Sequence, residues 1–93
     1  MLLLTLDDKS NKPIYQQLIE QIRHKVESRV LFPGERLPST RRLADQLGIH
    51  RSTVATAYQE LWSLGFLDLS PGTLPRVRDR TQIAMERDSF GDG

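Results

Sequence analysis

Apolar residues recur at helical spacing near the start of the chain, after a polar turn with the sequence DDKSN. Pro13 suits the first position of a helix, where a missing N–H costs nothing. The apolar stripe that follows repeats every four residues, at Ile14, Leu18, Ile22 and Val26. Tyr15 and Ile19 widen this stripe. This pattern predicts a first helix over residues 13–29, preceded by a short strand or an extended arm over residues 1–12.

Two shorter apolar stretches lie on either side of Gly48, which is suited to the left-handed conformation that ends helices. Ser39 is a good N-cap residue and predicts a second helix reaching Leu47. The next stretch predicts a third helix over residues 51–64, ended by Gly65. The expected inner faces are Leu43, Ala44 and Leu47 in the second helix, and Val54, Ala57, Tyr58 and Leu61 in the third.

A β-hairpin is predicted after the third helix, with FLDL at 66–69 and LPRVR at 74–78 flanking the turn SPGT. Pro-Gly at the turn centre fits type II geometry. Pro75 cannot donate a hydrogen bond to a ladder, which predicts that the returning strand is an edge. The chain is therefore expected to be mostly α with a small β-hairpin: a winged helix-turn-helix of three helices plus a wing. We assign residues 1–80 to this domain and residues 81–93 to a linker or the start of a connection to a further domain.

Composition narrows the function classes. The chain has 93 residues, which fits one small domain, and 13 basic against 12 acidic residues give a net charge of +1. A surface that binds a polyanion must therefore be built from local basic clusters. There is no cysteine, hence no disulfide or thiolate site. No apolar run has the length of a signal or membrane segment, so a cytoplasmic location is expected.

The sequence shows no catalytic or metal-binding pattern. His24 and His50 lack the spacing of metal ligands. No nucleophile–base pair, metal cluster or glycine-rich phosphate loop is present, so the chain is not expected to be an enzyme.

Arginines occupy the first turn of the predicted second helix. Because a helix N-terminus is partly positive, Arg41 and Arg42 are each unfavourable there by about 0.3–1 kcal/mol. A phosphate at this position would reverse the sign, since the helix end and both guanidiniums attract an anion. The alternative is that two exposed arginines are simply solvated.

The outer side of the third helix carries a neutral polar strip: Ser52, Ala55, Thr56 and Gln59, with Arg51 on its flank. These side chains suit the edges of bases in the major groove, into which the second helix of a helix-turn-helix inserts. The alternative is an exposed polar face without a ligand. His50, at the turn, is expected either to cap the third helix or to contact a phosphate, and Trp62 to lie in the core or in an interface.

Further basic residues flank the wing. Arg36 precedes the second helix, and Arg76, Arg78 and Arg80 lie on or just after the returning strand. From there they can reach the DNA backbone or the minor groove. The alternative is that arginines on an edge strand prevent aggregation.

The stretch LPSTRRLADQLGIHRSTVATAYQELWSLGFL, with the lead-in PIYQQLIEQI and the segment PGERLPS, resembles the DNA-binding domain of GntR-type bacterial transcription regulators over residues 12–69. PIYQQL, STRRLA and TVATAYQEL look most like the MocR branch, in which a domain similar to pyridoxal-phosphate aminotransferases follows. The shorter YtrA-like branch is a close rival, because the opening MLLLTLDDKSNKPIY suits it. Pyridoxal phosphate is expected only if such a domain follows; this chain itself is expected to hold no cofactor.

The resemblance also implies site residues. It places DNA contacts at Arg41, Arg51, Ser52 and Thr53, with Ser39 at the start of the second helix. His50 stands where the family usually has Ser, and Thr40 where it often has Glu. Ala55 replaces an arginine common in other branches, which weakens contacts from that position. The wing run SPGTLPRVR has one glycine where the family often shows a Gly-x-Gly-Thr-like tip, which leaves Gly72 and Thr73 as tip residues.

The sequence thus predicts a transcription regulator that binds operator DNA as a homodimer through its third helix, with an effector ligand that the sequence does not identify. The alternative is a winged-helix module for protein interaction without DNA readout. The residues predicted to contact DNA are Ser39, Arg41, Arg42, His50, Arg51, Ser52, Thr53, Ala55, Thr56, Gln59, Gly72, Thr73 and Arg76.

Overall fold

The computed structural model describes residues 4–78, and three helices are followed by a two-stranded antiparallel hairpin. The elements in chain order are α1 (Ile14–Glu27), α2 (Thr40–Leu47), α3 (Arg51–Ser63), β1 (Leu67–Asp68) and β2 (Arg76–Val77). The predicted architecture is confirmed, and the predicted helix bounds agree with the observed ones to within two residues. Arg80 and the predicted linker 81–93 lie outside the described residues.

The helix α3 lies at the centre of the domain and contacts α1, α2 and β1. Its predicted inner face is confirmed, since Val54, Ala57, Tyr58 and Leu61 are all buried. The other helices, the sheet and the connecting segments bury these core residues against it: Leu18, Ile22, Leu31, Leu37, Leu43, Ala44, Phe66, Leu67 and Val77. Burying these apolar side chains is the main favourable contribution to folding.

Two aromatic residues lie outside this core. Tyr15, expected to widen the apolar stripe of α1, is 40% exposed, so that prediction is wrong. Trp62 is 48% exposed, so it is not a core residue and only the interface alternative remains for it. Both helices still bury a largely apolar face, because the stripe in each is set by residues at other positions.

The segment before α1 is held to the helix by two glutamines, Gln17 and Gln21; the Gln21 amide oxygen accepts the Thr5 N–H at 2.9 Å. Residues 4–12 form no strand, and Leu4 and Leu6 pack as partly buried residues against the core. Gln17 is buried; its amide accepts from Asp7 N–H at 2.8 Å and donates to the Asp7 and Lys12 carbonyls at 2.8 and 2.9 Å. Over residues 4–12 the strand alternative is therefore wrong, and this segment follows the surface of α1 as an arm; residues 1–3 lie outside the described residues.

The returning strand β2 is not an edge. The register of the hairpin pairs Leu67 with Val77 on one side. On the other side, Val77 N–H donates to the Glu35 carbonyl at 2.9 Å, and Leu37 N–H donates to the Pro75 carbonyl at 2.8 Å. The edge prediction is wrong because Pro75 precedes the strand, where its carbonyl alone is needed and its missing N–H breaks no strand pairing.

Candidate nucleic-acid interface

The start of α2 is fixed by a side-chain cap. Ser39 Oγ accepts the Arg42 N–H at 3.1 Å, which satisfies one of the four free N–H groups at the helix end. Arg41 and Arg42 are exposed, the first turn holds no acidic residue, and within residues 4–78 neither guanidinium forms an ion pair. An uncompensated positive helix end with two free arginines attracts anions.

A tyrosine ties α3 to the residue before this cap. The Tyr58 hydroxyl donates to the Pro38 carbonyl at 2.8 Å, and burial raises the pKa of Tyr58 above its ordinary value. The bond spans 20 positions in sequence and fixes where α2 begins relative to α3. Sequence reasoning placed Tyr58 in the core but missed this bond; the signal was that a buried tyrosine usually finds a partner for its hydroxyl.

The turn between α2 and α3 is tight. Gly48 has φ of +69°, as predicted for the residue that ends α2, and Ile49 N–H donates to the Ala44 carbonyl at 3.0 Å. His50 is the N-cap residue of α3 by position, and its carbonyl accepts from Thr53 N–H at 3.1 Å. Its side chain makes no capping bond, so the capping prediction is wrong; a phosphate contact of the exposed imidazole stays a prediction.

The predicted outer strip of α3 is on the surface. Arg51 and the neutral residues are exposed, on the side of the helix opposite to the buried face, and Thr53 is half-buried at the boundary: Ser52, Ala55, Thr56 and Gln59 form the exposed neutral set. Within residues 4–78 the Arg51 guanidinium has no acidic partner. The strip is therefore accessible to a ligand, and its contacts with DNA stay a prediction.

The wing tip is an ordered turn. Gly72 has φ of +78°, as a type II turn requires at its third residue, and both Thr73 N–H and Thr73 Oγ1 donate to the Ser70 carbonyl, at 3.3 and 3.1 Å. The Thr73 hydroxyl thus braces the turn. Arg76 is exposed, whereas Arg78 is bound to Asp68, with 3.1 Å between Nε and Oδ1.

Residues 4–78 contain neither a metal-binding group of side chains nor a helix that could span a membrane. No three His, Cys, Asp or Glu side chains there come together in a group able to hold a metal ion. No helix in that range has the length and apolar character needed to cross a membrane.

A scan against protein families matches residues 14–78 to the model described as bacterial regulatory proteins, gntR family. The chain belongs to the GntR family. The match covers every helix and both strands, so the GntR resemblance noted in the sequence is confirmed together with the winged-helix fold.

Relatives of this GntR domain are transcription regulators. It is 42% identical over 84 residues to the HTH-type transcriptional regulator Rv1152 of Mycobacterium tuberculosis, which is 88% of this chain and 69% of that protein. The chain spans a smaller share of the other curated relatives, down to 14% of the length of one of them. As a member of this family, the domain is the DNA-binding domain of a transcription regulator.

Solved structures agree with the fold. YtrA from Sulfolobus acidocaldarius, a GntR-family transcription factor, is 30% identical, with a TM-score of 0.77 over 97% of this chain and 98% of that one. The DNA-binding domain of AraR in complex with operator ORE1 is 26% identical, with a TM-score of 0.68 over 83% of this chain and 94% of that one. A domain of the same fold is thus seen bound to its operator.

Proposed function

We propose that this GntR domain recognises a specific operator by placing the N-terminal half of α3 in the major groove. The observation that carries the proposal is the exposed neutral strip of α3, opposite a fully buried face. Hydroxyls, an amide, a methyl group and Arg51 match the donors, acceptors and thymine methyl groups of base edges. A helix-turn-helix presents this part of its second helix to the groove.

Phosphates on either side of the groove would be held by the start of α2 and by the turn. Arg41 and Arg42 extend from a capped helix start without an acidic partner among the described residues, and His50 is exposed at the start of α3. Phosphate contacts of this kind fix the register of the protein but carry no base information.

The wing tip, Gly72 and Thr73, would meet the adjacent minor groove. A regulator that binds chromosomal DNA would act in the cytoplasm.

We further propose that the domain acts as one half of a homodimer. One α3 reads only a few base pairs, and regulators of this architecture pair on half-sites about one helical turn apart. Selection of bound duplexes from a random pool should yield a near-palindrome with that spacing. Enrichment of single, unpaired half-sites would overturn the dimer while leaving base readout intact.

Arg51→Ala tests base readout directly. On the selected duplex we expect a loss of about 1–3 kcal/mol of binding free energy, because a bidentate contact with a base is removed. We also expect a relaxed preference at one base pair, and a much smaller loss on random duplex. Binding is measured by titration of both duplexes at fixed salt.

Arg29→Ala is the matched control, since it removes an exposed arginine that lies after α1 in a cleft with Leu31 and Pro33. This variant should bind like the parent. If Arg51→Ala weakens specific and random duplex equally, Arg51 contacts only the backbone. If the parent binds no duplex even at low salt, the domain is an interaction module.

A further inference from the structure

Two arginines face each other where the segment before α2 pairs with the wing strand β2. Arg36 and Arg76 are directly opposite in an antiparallel bridge, on the side of β2 away from β1. Successive side chains of extended backbone point to opposite faces, and the neighbours Leu37 and Val77 are buried. Arg36 and Arg76 are therefore both directed outward, and both are exposed.

The carboxylates beside this pair in sequence and in strand register have partners of their own. Glu35 Oε1 accepts the Phe32 N–H at 3.0 Å, and Asp68, the register partner of Arg76, is paired with Arg78. Over residues 4–78 neither Arg36 nor Arg76 has an ion-pair partner. Like charges directly opposite each other in a sheet are destabilising.

The pair is also continuous with the start of α2. Arg36 and Arg42 line the same surface cleft, which lies between α2 and the wing and includes Leu74 on its wall. Leu74 in turn lines a second depression with Arg76. Unpaired guanidiniums thus lead from the first turn of α2 to the outer face of the wing. Each depression also contains one carboxylate: Glu35, which accepts the Phe32 N–H, and Asp68, which is paired with Arg78.

We propose that Arg36 and Arg76 together bind one backbone phosphate of the DNA, which makes Arg36 a further DNA-contacting residue and couples the position of the wing to that of α2. Two guanidiniums converging on one phosphate form charge-assisted hydrogen bonds and cancel their mutual repulsion. Arg78 has no part in this contact, because Asp68 holds it. This inference rests on the proposed DNA-binding function.

The arrangement predicts opposite effects on folding and on binding. Arg36→Gln or Arg76→Gln removes repulsion from the free domain, so the urea midpoint should stay equal or rise. The affinity for the selected duplex should fall about tenfold for either variant, because a charge-assisted contact is lost. A purely structural role would lower the urea midpoint together with the affinity, which would overturn the proposal.

Sharing of one phosphate is tested on the DNA. Single uncharged methylphosphonates are placed along each strand of the selected duplex, and the dissociation constant of each duplex is measured. A methylphosphonate at one position should weaken the binding of the parent protein by about tenfold. It should leave the binding of the Arg36→Gln/Arg76→Gln double variant unchanged. The double variant should also lose less affinity than the product of the two single losses, because both residues serve the same phosphate.

Lys25→Gln is the control, since Lys25 lines a depression formed by α1 residues alone and should leave binding and the methylphosphonate profile unchanged. Separate sensitive phosphates for Arg36 and Arg76, or none, would overturn the shared contact. Arg51→Ala separates this outcome from failure of the proposed function: if Arg51→Ala weakens specific binding while the Arg36 and Arg76 variants do not, only the shared phosphate is wrong.

Discussion

Tyr58 joins the packing of α3 to the placement of α2 through one hydroxyl. Tyr58→Phe keeps the buried ring but leaves the Pro38 carbonyl without its 2.8 Å donor. We expect the free energy of unfolding to fall by about 1–2 kcal/mol, because a part-buried acceptor loses its partner. Urea denaturation measures this loss. Tyr15→Phe is the matched control, since Tyr15 is 40% exposed; an equal loss in both variants would show that the bond to Pro38 contributes nothing.

The same residue predicts a dependence on alkaline pH. Burial raises the pKa of Tyr58, so the folded chain keeps the phenol proton at a pH where the unfolded chain has lost it. The resulting stability is complete below the ordinary value of 10.0 and is lost as the pH rises above it. The stability gap between the parent and Tyr58→Phe should therefore be constant up to about pH 9 and should narrow between about pH 9.5 and about pH 11. A gap that stays constant over this range would contradict the prediction.

Sequence reasoning was accurate for residues whose role follows from spacing. Val54, Ala57 and Leu61 are buried because helical periodicity alone decides which side of α3 faces the core. The role of Gln17 was missed, because a polar residue on the buried side of α1 gives no sign of which backbone groups its side chain will bind. Its partners, Asp7 and Lys12, are set by the path of the lead-in over α1, which is tertiary information.

At the scale of elements, the capped start of α2 contributes to stability and is proposed to contact DNA, and substitutions at Ser39 separate these two roles. Ser39→Ala should lower the free energy of unfolding by about 0.5–2 kcal/mol, because the Arg42 N–H loses its acceptor. Ser39→Asp keeps an acceptor and adds a charge that favours the helix end, so stability should hold or rise. DNA affinity should nevertheless fall for Ser39→Asp, since a carboxylate then faces a phosphate.

Ser63→Ala, at the exposed end of α3, is the control for these two variants and should change neither stability nor affinity. Thermal or urea unfolding and duplex titration are measured on the same preparations. Undiminished affinity in Ser39→Asp would show that the start of α2 does not lie against the DNA backbone, whatever the effect on stability.

Helices were easier to predict than the sheet. The bounds of α2 and α3 follow from Ser39, Gly48 and an apolar face, which are all local signals. The edge prediction for β2 was wrong because its second neighbour is the segment around Arg36, about 40 positions earlier in the sequence. No local pattern announces such a pairing, and the Arg36–Arg76 juxtaposition could not be found before the structure was known.

At the scale of the whole molecule, the net charge is small although several arginines have no acidic partner. The net charge is +1, yet Arg41, Arg42 and Arg51 are exposed without ion pairs among the described residues. Composition alone therefore did not predict a nucleic-acid ligand, whereas the positions of the arginines along the chain did. The site residues predicted from sequence within residues 39–76 are on the surface or half-buried, as an interface requires.

The domain is small, so ligand binding should contribute visibly to its stability. A domain of this size buries a modest share of its surface on folding. The selected duplex, at a free concentration of about 100 times Kd, should add about 2.7 kcal/mol to the free energy of unfolding. Urea denaturation followed by circular dichroism of the helices measures this gain. Random duplex at the same concentration should add much less. Arg51→Ala should lower the gain on the selected duplex by about 1–2.4 kcal/mol, because the stabilisation depends on the affinity of the folded state. Equal gains from both duplexes would mean that the folded domain holds DNA through charge only, and that α3 does not read its sequence.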